Sequence, residues 1–151
     1  MPNSFIDRLL LDRKRIDLII NSLIDISKLA DPLNQELGIW DRPNGLIISK
    51  ISVPLGVVGI IYESRPNVTI DAGALCIKSG NTCILRGGSD SFHTSILLTK
   101  FLQQGLKLAG LPETCVQIID TIDRKMVTEI LKASEYIAVS YTHLTLPTSR
   151  S

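Results

Sequence analysis

Two polar clusters hold the side chains of this chain best suited to chemistry. Glu63-Ser64-Arg65-Pro66-Asn67 follows the apolar run 57–62, and Arg86-Gly87-Gly88-Ser89-Asp90 closes the run 82–86. In the first cluster, Arg65 has a planar fork that can grip a carboxylate or phosphate by paired hydrogen bonds. The Asn67 amide can donate to a developing oxyanion. The plainer alternative is that Pro66 and Asn67 only turn the chain and cap the next helix. In the second cluster, paired glycines let backbone approach a ligand, and a helix N-terminus behind them adds free N–H groups and the positive end of a dipole. Arg86 supplies a fixed cation matched to phosphate or ribose-phosphate. A tight turn is again the plainer alternative, and the chain has no Gly-x-Gly-x-x-Gly.

Both clusters need a scaffold, and the flanking pattern predicts one. Runs 57–62 and 82–86 read as strands with a helix of small residues over 69–78 between them, a βαβ unit with a right-handed crossover. The polar clusters then fall at the carboxyl ends of parallel strands, where open α/β sheets bind ligands. Lys78 lies near the C-terminus of that helix, where a cation is favourable. Upstream, residues 3–12 suggest a short helix start. Asp12 caps a longer helix to about Ala30, with an apolar stripe of Ile16, Ile19, Ile20, Leu23, Ile26 and Ala30. Asp31-Pro32 ends it. Pro43-Asn44-Gly45, between Trp40-Asp41-Arg42 and Leu46-Ile47-Ile48, predicts a β-hairpin outside the parallel sheet. That hairpin is either an edge or oligomer-forming element or plain surface.

Downstream, Asp90 or Ser91 caps a helix to about Ala109, with Leu97, Leu98, Phe101, Leu102, Gly105 and Ala109 as its apolar face. Gly110-Leu111-Pro112 stops it. A short strand over 116–119, a helix from Asp123 to Lys132 or Ala133, and a strand beginning at Tyr136-Ile137 follow. The expected fold is α/β: three layers around a mainly parallel, doubly wound sheet, with a β-hairpin. Residues 138–151 break the pattern and read as foreign read-through, so no function is placed on His143.

Composition narrows the classes. The 151 residues suit one domain, and 16 basic against 15 acidic side chains give a net charge of +1. This balance argues against nucleic acid or a polybasic membrane surface as partner. The run Arg13-Lys14-Arg15 reads as a solvated helix face. No apolar run reaches membrane-spanning length and no signal segment is evident, so a cytoplasmic protein is expected. Cys76, Cys83 and Cys115 have no CxxC spacing and sit in apolar contexts; they read as reduced core thiols. No metal site is expected, since His93 and His143 form no ligand motif.

The string Val53-Pro54-Leu55-Gly56-Val57-Val58-Gly59-Ile60-Ile61-Tyr62-Glu63-Ser64-Arg65-Pro66-Asn67-Val68-Thr69 closely resembles the γ-glutamyl phosphate reductase family, as do Cys76-Ile77-Lys78-Ser79-Gly80-Asn81 and Ile84-Leu85-Arg86-Gly87-Gly88. These enzymes, also called glutamate-5-semialdehyde dehydrogenases, belong to the aldehyde dehydrogenase superfamily. The resemblance spans about 4–137, through Ala30-Asp31-Pro32, Gly110-Leu111-Pro112, Ile118-Ile119-Asp120 and Asp123-Arg124. It implies that 1–137 is a partial, aldehyde-dehydrogenase-like NADPH-binding domain with N-terminal helices and hairpin. The implied activity is NADPH-dependent reduction of L-glutamate 5-phosphate to L-glutamate 5-semialdehyde and phosphate, in proline biosynthesis, by way of a cysteine thioester. It implies Asn67 as oxyanion donor and Arg65 as a substrate-binding residue. For the cofactor it implies Arg86 on the adenosine ribose, with Gly87, Gly88 and Ser89 beside it. Glu63, Ser64 and Arg65 match the strand end along the cofactor. Ser89 stands where NAD-using relatives place a glutamate, and a neutral residue spares a 2′-phosphate from repulsion. A homo-oligomer and a glutamate 5-kinase partner are implied as well.

The departures count too. The family's nucleophilic cysteine lies in a later segment, and none of the three cysteines here matches it; the family's glycine-rich loop is also missing. The chain is therefore expected to be an internal fragment without turnover. The competing expectation is a free-standing, non-catalytic module that binds a nucleotide or pairs subunits through its hairpin.

Overall fold

The computed structural model describes residues 6, 7 and 9–142, and the backbone only for 139–142. The predicted helix start over 3–12 lies partly outside the described residues. So do His143 and most of the segment 138–151.

Helix α1 runs Arg13–Lys28, and the Asp12 carboxylate caps it by accepting from the Arg15 backbone N–H at 2.8 Å. Its apolar stripe is only partly used. Ile19 is buried and Leu23 and Ile26 are half-buried, but Ile16 and Ile20 are exposed, as is Ala30 beyond the helix. The reason is geometric: α1 packs against one neighbouring helix, α2, and a single partner covers a narrow stripe. Strands β1 (Glu36–Asp41) and β2 (Ile47–Ile51) form the predicted antiparallel hairpin, with Trp40 opposite Ile48. Gly45 takes φ +82° in the turn, and Asn44 Oδ1 accepts from the Leu46 N–H at 3.2 Å.

The main sheet has the order β5-β4-β3-β6, all parallel: β3 Val57–Ile61, β4 Thr82–Arg86, β5 Val116–Ile118 and β6 Val139–Thr142. Helix α2 spans Pro66–Lys78, α3 Phe92–Leu108 and α4 Lys125–Lys132. Val58 faces a core shared with Cys76 on α2, Cys83 and Leu85 on β4, Leu106 on α3 and Val116 on β5. Gly59 faces the other way, and a Cβ there would lie 3.1 Å from Ile130 of α4. Helices therefore cover both faces, which makes the expected three layers. The chain steps outward from β3 to β4 to β5, then returns to add β6 on the far side of β3. That reversal puts the loop after β3 at the topological switch point.

Several boundaries differ from expectation. Helix α2 begins at Pro66, not at 69, because proline is pre-shaped for the first helical turn and its missing N–H costs nothing there. Asn67 therefore sits inside the first turn. Ser91 precedes α3 but makes no side-chain cap; its Oγ turns back to the Gly88 carbonyl at 3.3 Å. The face of α3 that packs inward is Ser95, Thr99 and Leu106, whereas Leu97 and Phe101 are exposed. Small hydroxyl residues let this helix lie close on the sheet, and Thr99 Oγ1 donates a hydrogen bond to the Ser95 carbonyl at 2.9 Å. The last strand begins at Val139, not at Tyr136-Ile137: Tyr136 is exposed in a turn and Ile137 is buried. Cys76 and Cys83 are buried as expected, while Cys115 is only half-buried.

Candidate functional site

The strands β3 and β4 are paired so that Ile61 lies opposite Arg86. Their polar ends consequently emerge side by side. A cleft of about 790 Å³ opens between them, bordered by Glu63, Ser64, Arg65, Arg86, Gly87, Gly88 and Ser89. Every residue expected at the cofactor thus lies in one place. Gly88 makes the approach possible: a Cβ there would stand 2.8 Å from the backbone nitrogen of Ser64, inside any tolerable contact. Ser64 Oγ also donates to Asp90 Oδ2 at 3.4 Å, joining the two loops.

Arg86 forms the floor of this cleft and is only 7% exposed. Its guanidinium donates to two backbone carbonyls, Gly87 and, at 3.1 Å, Ile122. Its Nε has no hydrogen-bond partner, and among the described residues no carboxylate pairs with it. A buried cation without a counter-charge is costly, and an arriving anion relieves that cost. Beside it, the Tyr62 hydroxyl shares a hydrogen bond with Thr69 Oγ1 at 2.8 Å. Burial raises the Tyr62 pKa above its ordinary value, against the opposing pull of its hydrogen bonds and of Arg86.

Asn67 is not in that cleft. It borders a second cavity of about 510 Å³, between α1 and the start of α2, and Arg65 is the residue common to both. Arg65 Nε lies 3.4 Å from Glu63 Oε2, near enough for an ion pair but without the alignment of a hydrogen bond. Arg65 thus stands on the wall between the two spaces. Lys78 closes α2 and donates to the Ser27 carbonyl at 3.1 Å, tying α2 to α1.

Sequence reasoning missed Ile122, Arg124 and Val127 on the far wall of the cleft, and Asp71 and Ser22 beside Asn67. Asp71 had a readable signal, its i+4 spacing from Asn67 on a helix. Arg124 and Ile122 had none, because their loop reaches the cleft only through the strand order. None of the three cysteines lines either space. The interaction with Cys76, together with burial, pushes the Cys83 thiol far above its ordinary value, and the same interaction shifts Cys76 down. Among the described residues no cluster of His, Cys, Asp or Glu could hold a metal.

Relatives now bear on this arrangement. γ-Glutamyl phosphate reductase of Clostridium tetani is 50% identical over 139 residues, 92% of this chain and 32% of that protein. The crystal structure of the Thermotoga maritima γ-glutamyl phosphate reductase superposes with a TM-score of 0.91 at 39% identity, over 96% of this chain and 35% of its own. The chain is homologous to part of γ-glutamyl phosphate reductase. It spans about a third of the length of the reductases it matches. No family model matches it. A Rhodopseudomonas palustris propionaldehyde dehydrogenase with bound CoA shares the fold at 14% identity, with a TM-score of 0.62 over 89% of this chain and 34% of its own. The fold of this segment is therefore aldehyde-dehydrogenase-like, and both polar clusters belong to the matched region.

Proposed function

We propose that this chain is part of the cofactor-binding domain of an NADPH-dependent reductase. The enzyme would convert L-glutamate 5-phosphate to L-glutamate 5-semialdehyde and phosphate in proline biosynthesis. The observation that carries this reading is Arg86: a buried guanidinium with an unpartnered Nε and, among the described residues, no carboxylate paired with it, at the floor of a glycine-lined cleft. Those features fit a phosphorylated ribose. Bound there, the cofactor supplies hydride. Arg86 takes the ribose and its phosphate, Gly87 and Gly88 let the backbone close on it, and uncharged Ser89 leaves room for a 2′-phosphate. Glu63 and Ser64 line the strand end beside it. Arg65, on the wall toward the second cavity, is placed to hold an anionic group of the substrate. Asn67 in that cavity donates an N–H to the carbonyl oxygen as negative charge develops on it.

The test is Arg86→Ala in a complete reductase carrying these residues. KM for NADPH should rise by at least about tenfold, as loss of a charge-assisted contact implies, with little change in KM for the acyl phosphate. Equal effects on both substrates would remove the assignment. The 151-residue polypeptide by itself should show no turnover, because no cysteine lies in either cavity to attack the acyl phosphate. NADPH oxidation above blank that vanishes with Cys76→Ser, Cys83→Ser or Cys115→Ser would reverse this.

A subunit-pairing role is favoured by one observation: the hairpin exposes Leu37, Ile39, Trp40, Leu46, Ile47, Ile48 and Ile51 together. We assign it to homo-oligomer contacts within the reductase. A glutamate 5-kinase, which would deliver the labile acyl phosphate, is the expected hetero-partner, testable by co-purification. Among the described residues no helix is long and apolar enough to cross a membrane, and a cytoplasmic site suits three free thiols. Residues 138–151 we read as foreign to the domain in 1–137. Residues 139–142 pair with β3 through backbone hydrogen bonds, which any sequence can make, so the pairing is compatible with that reading. An adapter match in the coding DNA would establish it, and an uninterrupted genomic frame would refute it.

A further inference from the structure

We propose that Asp71 is a positioning residue for Asn67, and that Ser22 of α1 holds Asp71 in place for this purpose. The inference rests on the reading of Asn67 as oxyanion donor. Asn67 and Asp71 are one helical turn apart and share a face of α2. Asn67 Nδ2 donates to Asp71 Oδ2 at 3.4 Å. The other carboxylate oxygen, Oδ1, accepts from Ser22 Oγ at 2.7 Å, across the junction between α1 and α2. Arg15 and Arg65 border the same cavity, yet each is engaged elsewhere: Arg15 with Asp7 at 2.8 Å, Arg65 with Glu63. Among the described residues Asp71 has no ion-pair partner, so its charge is available to the amide.

The rate depends on which end of the amide faces the reacting carbonyl. A primary amide has a donor end and an acceptor end of nearly equal size, and the two exchange by a half-turn about χ2. Only the donor end can stabilise an oxyanion; the acceptor end repels it. A carboxylate accepts hydrogen bonds and does not donate. Beside Asp71 the amide therefore keeps Nδ2 on the carboxylate, and its second N–H points in one direction from the exposed start of α2. Without the carboxylate, both orientations are populated. A bond of 3.4 Å is long, and contacts of this kind tighten when charge develops in the complex. Asp71 does not border the glycine-lined cleft, and its carboxylate reaches the Asn67 amide, so its effect is assigned to Asn67.

A double-mutant cycle in the complete reductase tests this. Asn67→Ala should lower kcat by about 10²–10³-fold, the usual cost of one oxyanion donor. Asp71→Ala should lower kcat by roughly tenfold, with KM for NADPH and for the acyl phosphate within about twofold of the parent. Asp71→Asn should recover little of the rate, since Ser22 engages its one oxygen and the Nδ2 that replaces Oδ2 sets a second donor against the Asn67 amide. The double variant Asn67→Ala/Asp71→Ala should be no slower than Asn67→Ala alone, since a residue that acts through another has nothing left to position. In protein labelled with ¹⁵N-asparagine, the Asn67 side-chain proton on the carboxylate should shift toward the free-amide position in Asp71→Ala. Multiplicative losses in the double variant would overturn the inference. So would a rise in acyl-phosphate KM at constant kcat, which would place Asp71 on the substrate itself. An unslowed Asn67→Ala would instead remove the oxyanion reading, and this inference with it. An unslowed Asp71→Ala beside a slow Asn67→Ala would remove only the inference.

Discussion

The hairpin and the central strand pair are built from similar residues and end in opposite environments. Strand β2 reads Ile-Ile-Ser-Lys-Ile and is exposed at every position; β4 reads Thr-Cys-Ile-Leu-Arg and is buried or half-buried throughout, down to its arginine. Burial is thus not a property of hydropathy but of having a partner. Strand β4 lies between β3 and β5 and faces α2 across the core, whereas the hairpin contacts mainly itself. The lesson extends to charge. The sheet buries an arginine because backbone carbonyls of the adjoining loops accept two of its donors, while the hairpin leaves a tryptophan half in water.

The sharpest way to probe this contrast is one truncation on each side of it. Leu85, fully buried in β4, should cost about 2–5 kcal/mol on change to Ala, from lost transfer energy and the cavity left behind. Ile47→Ala in the hairpin, at a position 66% exposed, should stay within about 0.5 kcal/mol in the unassembled chain. Urea midpoints measure both. Equal costs would mean that the hairpin is covered in the unassembled chain.

Glycine substitutions give a smaller effect with the same logic. A Cβ on Gly73 of α2 would stand 2.7 Å from Leu102 Cδ1 of α3, so Gly73→Ala should destabilise by about 1–3 kcal/mol through overpacking. Gly45→Ala meets no neighbour within 4 Å and should cost only the strain of its φ of +82°, about 1 kcal/mol. Thermal melts of the two variants separate a packing cost from a backbone cost.

The smallest effect concerns pH and belongs to the sheet alone. Burial raises the Tyr62 pKa in the folded state, so folding favours the protonated phenol. Its contribution is complete below the unfolded tyrosine value, about 10, and is lost as pH rises through the folded value. Stability should therefore fall on the alkaline side, and Tyr62→Phe should flatten that limb. An alkaline limb left unchanged by Tyr62→Phe would show that the fall reports general alkaline damage.

Much of this architecture was legible beforehand because it is written in short-range patterns. Asp12 before an apolar period, Asn44-Gly45 between apolar runs and two strands flanking small residues each act within a few positions, and each element is present. The errors arose where a choice depended on distant partners. Pro66 brought the start of α2 forward and placed Asn67 within its first turn. The apolar period of α3 marked Leu98 and Leu102, which are half-buried with Leu102 against the core, but also Leu97 and Phe101, which are exposed, while the fully buried positions are Ser95 and Thr99. Periodicity shows that a helix has a face; the close packing available against a given sheet decides which face it is.

By itself the sequence determined the kinship with γ-glutamyl phosphate reductase and the order of the elements. It also determined the chemistry offered at two strand ends, because turn residues, strand runs and family strings are local. Tertiary structure alone decided that Arg86 is buried, with no counter-charge among the described residues, since desolvation is a sum over neighbours from β3, the 122 loop and α4. It alone placed Asn67 in a separate cavity from the cleft, with Arg65 between them. It alone brought Ser22, 49 positions away, onto the carboxylate beside that amide, because a contact across two packed helices has no local signal.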